Sequence, residues 1–265
     1  MTSLSTGFVE STDGTRIAFE ATGDDPALVL VAGALGYKKF SYLRKFAAEF
    51  AKQFRVFAYD RRGRGDSGDT QPYSVDKEID DLAAVCQASG AQPIVLGISS
   101  GAALALEAAA RGAPMSRLVA FEAPYMVGSH RRPEHARYET EISNLIARDE
   151  RDAAVKLFMR TVGVPAFLVA IMRLMPFWKD FRRVAHTLPY DAAIMRRFEL
   201  PVARLSAIRV PTLVVGGGKS PTSLKAAVRA VAQAVPGAQF SEIPGQSHAI
   251  KASALVPVVR RFVEA

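Results

Sequence analysis

The stretch Pro93-Ile94-Val95-Leu96-Gly97-Ile98-Ser99-Ser100-Gly101-Ala102-Ala103-Leu104 joins two patterns at one serine. PIVLGIS is a continuous apolar run of the kind a strand buried on both faces requires. SGAALALEAAARG, which follows, is rich in alanine and leucine, the strongest helix formers. Gly97-Ile98-Ser99-Ser100-Gly101 is therefore a G-x-S-x-G sequence placed where a strand ends and a helix begins. A turn there must be tight and must thrust its hydroxyl out of the sheet, and small residues two before and two after the serine prevent clashes. Ser99 is the candidate nucleophile, with a purely structural turn as the alternative.

Outward from this turn, strand and helix signals alternate, as in a mostly parallel sheet covered on both faces. GFVES and RIAFEATG flank Thr12-Asp13-Gly14 and read as an opening hairpin. ALVLVAG, FRVFAYD and RLVAFEAP read as strands, and FSYLRKFAAEFAKQ and VDKEIDDLAAVCQASG as helices. From about Tyr125 to Leu200 strand signals stop, and helical segments are broken at Pro133, Gly163, Pro165, Pro176 and Pro189. Alternation resumes with TLVVGGG, SLKAAVRAVAQAV, AQFSEIPG and ALVPVVRRFVEA. The expected fold class is α/β: a mostly parallel, doubly wound sheet formed by residues 1–124 and 201–265, with a helical cap insertion at residues 125–200. An insertion after a strand end lies over the edge where open α/β sheets bind ligands.

With 49% hydrophobic and 23% charged residues over 265 positions, the chain can bury a sizeable core. Its formal net charge of +8 raises the question of an anionic partner. The basic residues come as short runs, Arg61-Arg62, Arg131-Arg132, Arg182-Arg183 and Arg196-Arg197, interleaved with acids and without a nucleic-acid motif. They read as solvated surface, and no nucleic-acid partner is expected. Cys86, the one cysteine, lies in the apolar helical run DDLAAVCQA and reads as a small buried side chain rather than a reactive thiol. MTSLSTGFVESTDG lacks the pattern of a secretory signal. Val164 to Trp178 is the most apolar stretch but is too short to span a bilayer and contains Arg173, so no membrane span and a cytoplasmic location are expected.

The whole chain resembles an α/β-hydrolase. Asp60-Arg61-Arg62-Gly63-Arg64-Gly65-Asp66-Ser67 is similar to the D-x-R-G-x-G-x-S loop after the fourth strand of that family, and its residues read as shaping the loop. The resemblance implies a general base after the last strand, where Pro244-Gly245-Gln246-Ser247-His248-Ala249 supplies His248. His130, His135 and His186 fall in the insert, where solvent or cap contacts are expected. An oxyanion hole needs two backbone N–H groups. Ser100 supplies one, and Ala34, in the loop Val31-Ala32-Gly33-Ala34-Leu35-Gly36, supplies the other. Many members carry His-Gly where this chain has Ala32-Gly33, which leaves the bracing of that loop open.

Family members often place the acid of a Ser-His-acid triad in the loop after TLVVGGG, but Lys219 and Ser220 stand there. RLVAFEAP ends in Glu122-Ala123-Pro124, and a glutamate at the end of a buried strand is costly unless paired or hydrogen-bonded. Certain haloalkane dehalogenases and the zearalenone lactonases carry their acid after this strand. Glu122 is accordingly the candidate acid, with a structural salt bridge as the alternative; Glu242 and Asp60 are weaker candidates.

The resemblance implies hydrolysis of a small hydrophobic ester or lactone through an acyl-enzyme. A serine at position 99 disfavours dehalogenase or epoxide-hydrolase chemistry, which uses an aspartate there. Carbon–carbon bond hydrolysis remains an alternative, as does a non-catalytic, hydrolase-like ligand receptor. The insert is expected to set substrate preference, with Phe158, Met159, Phe167, Met172 and Trp178 as candidate contacts against packing of the cap. No cofactor and no metal is expected, and oligomeric state carries no sequence signal.

Overall fold

The computed structural model describes residues 4–90, 92–128 and 133–265. The opening hairpin pairs β1 (Ser5–Glu10) with β2 (Arg16–Thr22), Val9 opposite Ile17, across the turn at Thr12 to Gly14. The remaining strands are β3 (Ala27–Val31), β4 (Arg55–Tyr59), β5 (Ile94–Ile98), β6 (Arg117–Phe121), β7 (Thr212–Gly217) and β8 (Gln239–Ile243). They form one eight-stranded sheet in the order β1-β2-β4-β3-β5-β6-β7-β8. The β1–β2 and β2–β4 pairs are antiparallel and every later pair is parallel.

Parallel strands need covering on both faces, and the alternation of side chains across a strand supplies both layers. Val29, Val31, Val95, Leu118, Ala120 and Val214 point to one face. There they meet α2 (Val75–Ala88), α3 (Ser100–Ala110) and α10 (Thr222–Ala234). Leu28, Leu30, Leu96, Val119, Phe121 and Val215 point to the other, against α1 (Ser41–Phe50) and α11 (Ala252–Glu264). Each fully buried valine, leucine or isoleucine side chain contributes about 1.5–3 kcal/mol before the entropy cost of ordering it. Cys86 lies in the first of these layers, fully buried, and burial pushes its thiol up to about 12.

Between β6 and β7 the described chain is helical: α4 (Pro133–Ala147), α5 (Arg151–Thr161), α6 (Ala166–Met172), α7 (Phe177–Val184), α8 (Leu188–Met195) and the short α9 (Val202–Leu205). Pro165 and Pro176 stand immediately before α6 and α7, and Pro189 occupies the first turn of α8, positions where a missing N–H costs no helical hydrogen bond. This insert has its own core, which includes Ile142, Val155, Trp178, Phe181 and Leu188. Leu35 and Tyr37, from the loop after β3, belong to the same core, so the insert is seated on that loop. No described helix is long and apolar enough to cross a membrane.

One expectation from the charge pattern fails. Arg61 and Arg62, read from sequence as solvated, are fully buried, as is Arg64 at 1% exposure. Buried carboxylates account for the difference: Glu78 and Asp191 pair with Arg61, Asp81 with Arg62, and Asp191 with Arg64. Arg182, Arg183, Arg196 and Arg197 are exposed, whereas Arg131 and Arg132 lie outside the described residues.

Candidate active site

The strand β5 ends at Ile98, and Ser99 turns the chain into α3 with φ 57° and ψ −124°. A non-glycine residue held at positive φ is strained, and such strain persists only where the surroundings enforce it. Here the enforcement is close backbone packing. A Cβ at Gly97 would lie 2.5 Å from the Ala102 Cα, and one at Gly101 would lie 2.3 Å from the Val31 carbonyl oxygen. Gly33 is less tightly constrained, since its Cβ would lie 3.1 Å from the Ser99 Cβ. The loop after β3 is therefore in contact with the serine. Ser99 is half-buried, and its hydroxyl does not cap α3, which leaves it available for other chemistry.

Glu122 follows the last residue of β6, the strand beside β7. It too has positive φ, 48°, and its side chain is fully buried. Its backbone N–H donates to the Val215 carbonyl at 3.1 Å, tying it to the neighbouring strand. One carboxylate oxygen, Oε1, accepts from the Gly217 N–H at 2.7 Å, and the other, Oε2, lies 2.7 Å from the His248 Nδ1. A carboxylate on Nδ1 orients the ring and leaves Nε2 as the nitrogen that can exchange a proton. The His248 ring stacks over Phe121, with centroids 6.2 Å apart. The Phe121 carbonyl in turn accepts from the Ser99 N–H at 2.9 Å, so one residue touches both. The Ser99 hydroxyl has no hydrogen-bond partner among the described residues, His248 included; such contacts often form only with substrate bound.

The glycines of Val214-Val215-Gly216-Gly217-Gly218 explain why no side chain reaches the histidine from this loop. At Gly217 a Cβ would lie 2.7 Å from the Gln246 carbonyl oxygen and 2.8 Å from the Ser220 Oγ. The Lys219 N–H donates to that same Gln246 carbonyl at 2.7 Å, packing the loop onto the segment that carries His248. The backbone of β7 thus supplies a hydrogen-bond donor to the glutamate that reaches in from β6. The other two carboxylates considered from sequence are engaged elsewhere. Asp60 accepts from the Lys38 Nζ at 2.8 Å and from the Asp66 N–H at 2.8 Å, and Glu242 lies 3.7 Å from Arg229.

Among the described residues, neither the Ala34 nor the Ser100 N–H has a protein acceptor. The loop carrying Ala34 is braced by arginine. Arg61 Nη1 donates to the Ala32 carbonyl at 3.2 Å, and Arg64 Nη1 donates to the carbonyls of Gly33 at 2.8 Å and Gly36 at 3.3 Å. Both arginines form ion pairs with Asp191 of α8, a residue the sequence does not single out, and Glu78 supplies the second anion, on Arg61. Burial pushes the Asp191 carboxyl up, but Arg64, Arg61 and the Ser100 hydroxyl outweigh that and hold it below the ordinary carboxylate range. The available signal was one acid in the otherwise apolar run Leu188-Pro189-Tyr190-Asp191-Ala192-Ala193-Ile194-Met195, the same kind of signal that marks Glu122.

The five insert residues considered as substrate contacts do not share one environment. Met159 and Trp178 are buried in the core of the insert, where the Trp178 Nε1 donates to Asp152 at 2.8 Å. Phe158 and Met172 are half-buried at its margin. Phe167 is 66% exposed. His135 packs beside Phe198, with ring centroids 5.2 Å apart, and His186 lies 3.8 Å from Asp69. His130 is outside the described residues.

Comparison with known proteins agrees with this architecture. A crystal structure of an alpha/beta hydrolase from Sphaerobacter thermophilus is 44% identical, covering 97% of this chain and all of that one with a TM-score of 0.90. A thermophilic esterase from Thermogutta terrifontis is 21% identical over 98% of both chains, TM-score 0.69. An enol-lactonase from Burkholderia xenovorans is 23% identical over 98% of this chain and all of that one, TM-score 0.68. These last two likenesses concern the fold alone. A search of curated proteins found no significant match. The profile of the alpha/beta hydrolase family matches residues 28–258, which takes in the strained serine turn, the buried glutamate and the histidine after the last strand: this chain belongs to the alpha/beta hydrolase family.

Proposed function

We propose that the protein is a serine hydrolase that cleaves a hydrophobic carboxylic ester or lactone, with Ser99 as nucleophile, His248 as general base and Glu122 as the acid that orients the histidine. The observation that carries this reading is the 2.7 Å contact between a fully buried Glu122 carboxylate and the His248 Nδ1. The Ser99 Oγ attacks the carbonyl carbon while His248 takes its proton, and the carbonyl oxygen, now negative, is received by the N–H groups of Ala34 and Ser100. Collapse breaks the bond to the alkoxide, which leaves with the proton from His248. The released alcohol stays tethered when the substrate is a lactone. Water, deprotonated by the same histidine, then attacks the acyl-enzyme, and the acid is released as Ser99 regains its proton.

Residues 125–200 act as the cap that sets substrate preference. Phe158 and Met172, at the margin of its core, are the proposed contacts for an acyl chain, Met159 and Trp178 belong to the core itself, and Phe167 is exposed. The esterase and the enol-lactonase of the same fold support a carbonyl substrate. Labelling with a fluorophosphonate, followed by assay of esters and lactones of graded chain length and ring size, tests the proposal. Wild-type protein takes up one equivalent of label, Ser99→Ala takes up none and hydrolyses no activated ester. Label retained by Ser99→Ala places the nucleophile elsewhere, and absence of label on the wild type favours a non-catalytic receptor.

A further inference from the structure

We infer that Asp191 is a positioning residue that aims both N–H donors of the oxyanion hole, so that the hole is completed by the helical insert rather than by the sheet core alone. The inference rests on the serine-hydrolase reading and goes beyond it. Asp191 is fully buried in α8, and its two oxygens are divided between three partners. Oδ1 accepts from the Ser100 hydroxyl at 2.8 Å and from Arg61 Nη1 at 2.8 Å, and Oδ2 accepts from Arg64 Nη2 at 2.7 Å.

Each partner leads to one of the two donors. Ser100 carries the first donor on its own backbone, and the hydrogen bond from its hydroxyl pins the residue at the start of α3. The second donor, the Ala34 N–H, shares a peptide plane with the Gly33 carbonyl. In a trans peptide that N–H and that carbonyl point in opposite directions. Arg64 Nη1, 2.8 Å from the Gly33 oxygen, therefore fixes where the Ala34 N–H points. Arg61 holds the preceding carbonyl, of Ala32, and Arg64 also holds that of Gly36. These contacts do for the loop what a histidine side chain at position 32 is unable to do here.

The charge balance makes Asp191 necessary to this arrangement. Two fully buried guanidinium groups face two fully buried carboxylates, Glu78 and Asp191, and Glu78 is bound to Arg61 Nε at 2.6 Å and to the Tyr73 hydroxyl at 2.7 Å. Asp191 is thus the one carboxylate shared by both arginines among the described ion pairs. Arg64 is held to the insert a second time, its Nε donating to Thr187 Oγ1 at 3.1 Å. A displaced insert would remove the anion from the two cations that orient the loop.

Two variants test this: Asp191→Asn, which keeps the shape but turns an amide donor toward a guanidinium, and Ser100→Ala, which removes one hydrogen bond and no charge and is the safer variant if Asp191→Asn folds poorly. Each is titrated with a fluorophosphonate to count competent sites, and kcat per site, KM and inhibition by an alkyl trifluoromethyl ketone are measured. The ketone forms a tetrahedral adduct whose oxygen occupies the hole. The expected result is a fall in kcat per site of roughly 10- to 100-fold for Asp191→Asn, because displacements of about 1 Å in positioned groups cost up to ~10²-fold. Ser100→Ala shows a smaller fall in the same direction. KM stays within about threefold in both, and affinity for the ketone falls by the same factor as kcat/KM. Fewer titrated sites with unchanged kcat per site would make Asp191 a structural anchor and overturn the inference, as would a rise in KM alone. A wild type that takes no label removes the serine-hydrolase reading and this inference with it, whereas a labelled wild type with unaltered variants removes the inference alone.

Discussion

The loop from Asp60 to Asp66 and the insert segment from Val162 to Met175 reverse the usual sorting of side chains. The loop seals Arg61, Arg62 and Arg64 inside the protein. The insert segment turns Val162, Phe167, Leu168, Ile171, Leu174 and Met175 outward, with Leu174 86% exposed. Residue type does not explain the difference, but partners do. Every buried guanidinium in the loop meets a carboxylate, whereas α6 is only seven residues long and buries Val169 alone. A charge can be buried when paired and hydrogen-bonded, and an apolar side chain stays exposed where no surface arrives to cover it. The loop at the sheet edge is thus held by paired charges, whereas the insert segment presents apolar side chains to solvent.

The largest effect expected at the sheet edge is on turnover. Glu122→Gln retains size and most of the packing, and it lowers kcat by on the order of 10⁴-fold, as an acid-to-amide change does in a triad. Steady-state assay on an activated ester measures it, and wild-type turnover would leave a Ser-His dyad. Adding Ser220→Asp restores part of the lost rate, because the Ser220 Oγ is buried, lacks a protein partner among the described residues and lies beside Gly217.

Next comes a loss of stability without loss of chemistry. Arg62 donates to both oxygens of Asp81, at 2.8 and 2.7 Å, and to Asp13, and its hydrogen bonds among the described residues include none to Asp191 or the loop after β3. Arg62→Met leaves Asp81 buried without its partner and destabilises the fold by about 3–5 kcal/mol. Denaturant unfolding measures that loss, while kcat per titrated site stays near wild type. A matching fall in kcat per site would erase the distinction between an arginine that holds the loop together and the arginines proposed to aim the oxyanion donors.

The ion pairs around the loop also make stability depend on pH. Lys38 and Lys39 hold the Asp66 carboxyl down to about 2, and Arg62 and Thr15 hold Asp13 well below the usual carboxylate range. Groups depressed on folding contribute stability above their unfolded value near 3.8, and that contribution disappears as pH falls through their folded values. The unfolding midpoint in urea is expected to fall steadily between pH 4 and pH 2. Asp66 is partly exposed, so its share is small and weakens with salt. A midpoint independent of pH across that window would contradict the pairing in the loop.

The smallest effect belongs to the insert. Leu174→Ser and Ile171→Ser change solvent-facing side chains and alter stability by about 0.5 kcal/mol or less. Thermal unfolding checks this, and a large destabilisation would mean that these exposed side chains are structurally engaged.

Much of the site is legible without coordinates because its signals are local. The strand-to-helix change around Ser99 fixes the turn, and the two flanking glycines announce how closely Val31 and Ala102 approach it. Alternation of strands and helices determines a mostly parallel sheet, and the glutamate at the end of β6 stands out because a charge there needs a partner. The solvated reading of Arg61-Arg62 fails for the complementary reason: a run of charges shows where cations are, but not which distant anions will surround them. Arg61 meets Asp191 across 130 positions, and Ser100 meets it across 91. Glu122 meets His248 across 126, a pairing for which the family resemblance, and not any local signal, gave the expectation. By itself the sequence determined the periodicities, the turns and the residues whose burial would be costly. Which carboxylates answer Arg61, Arg62 and Arg64 was settled by folding, because that pairing depends on strand order and insert docking, and neither leaves a mark on the residues nearby in the chain.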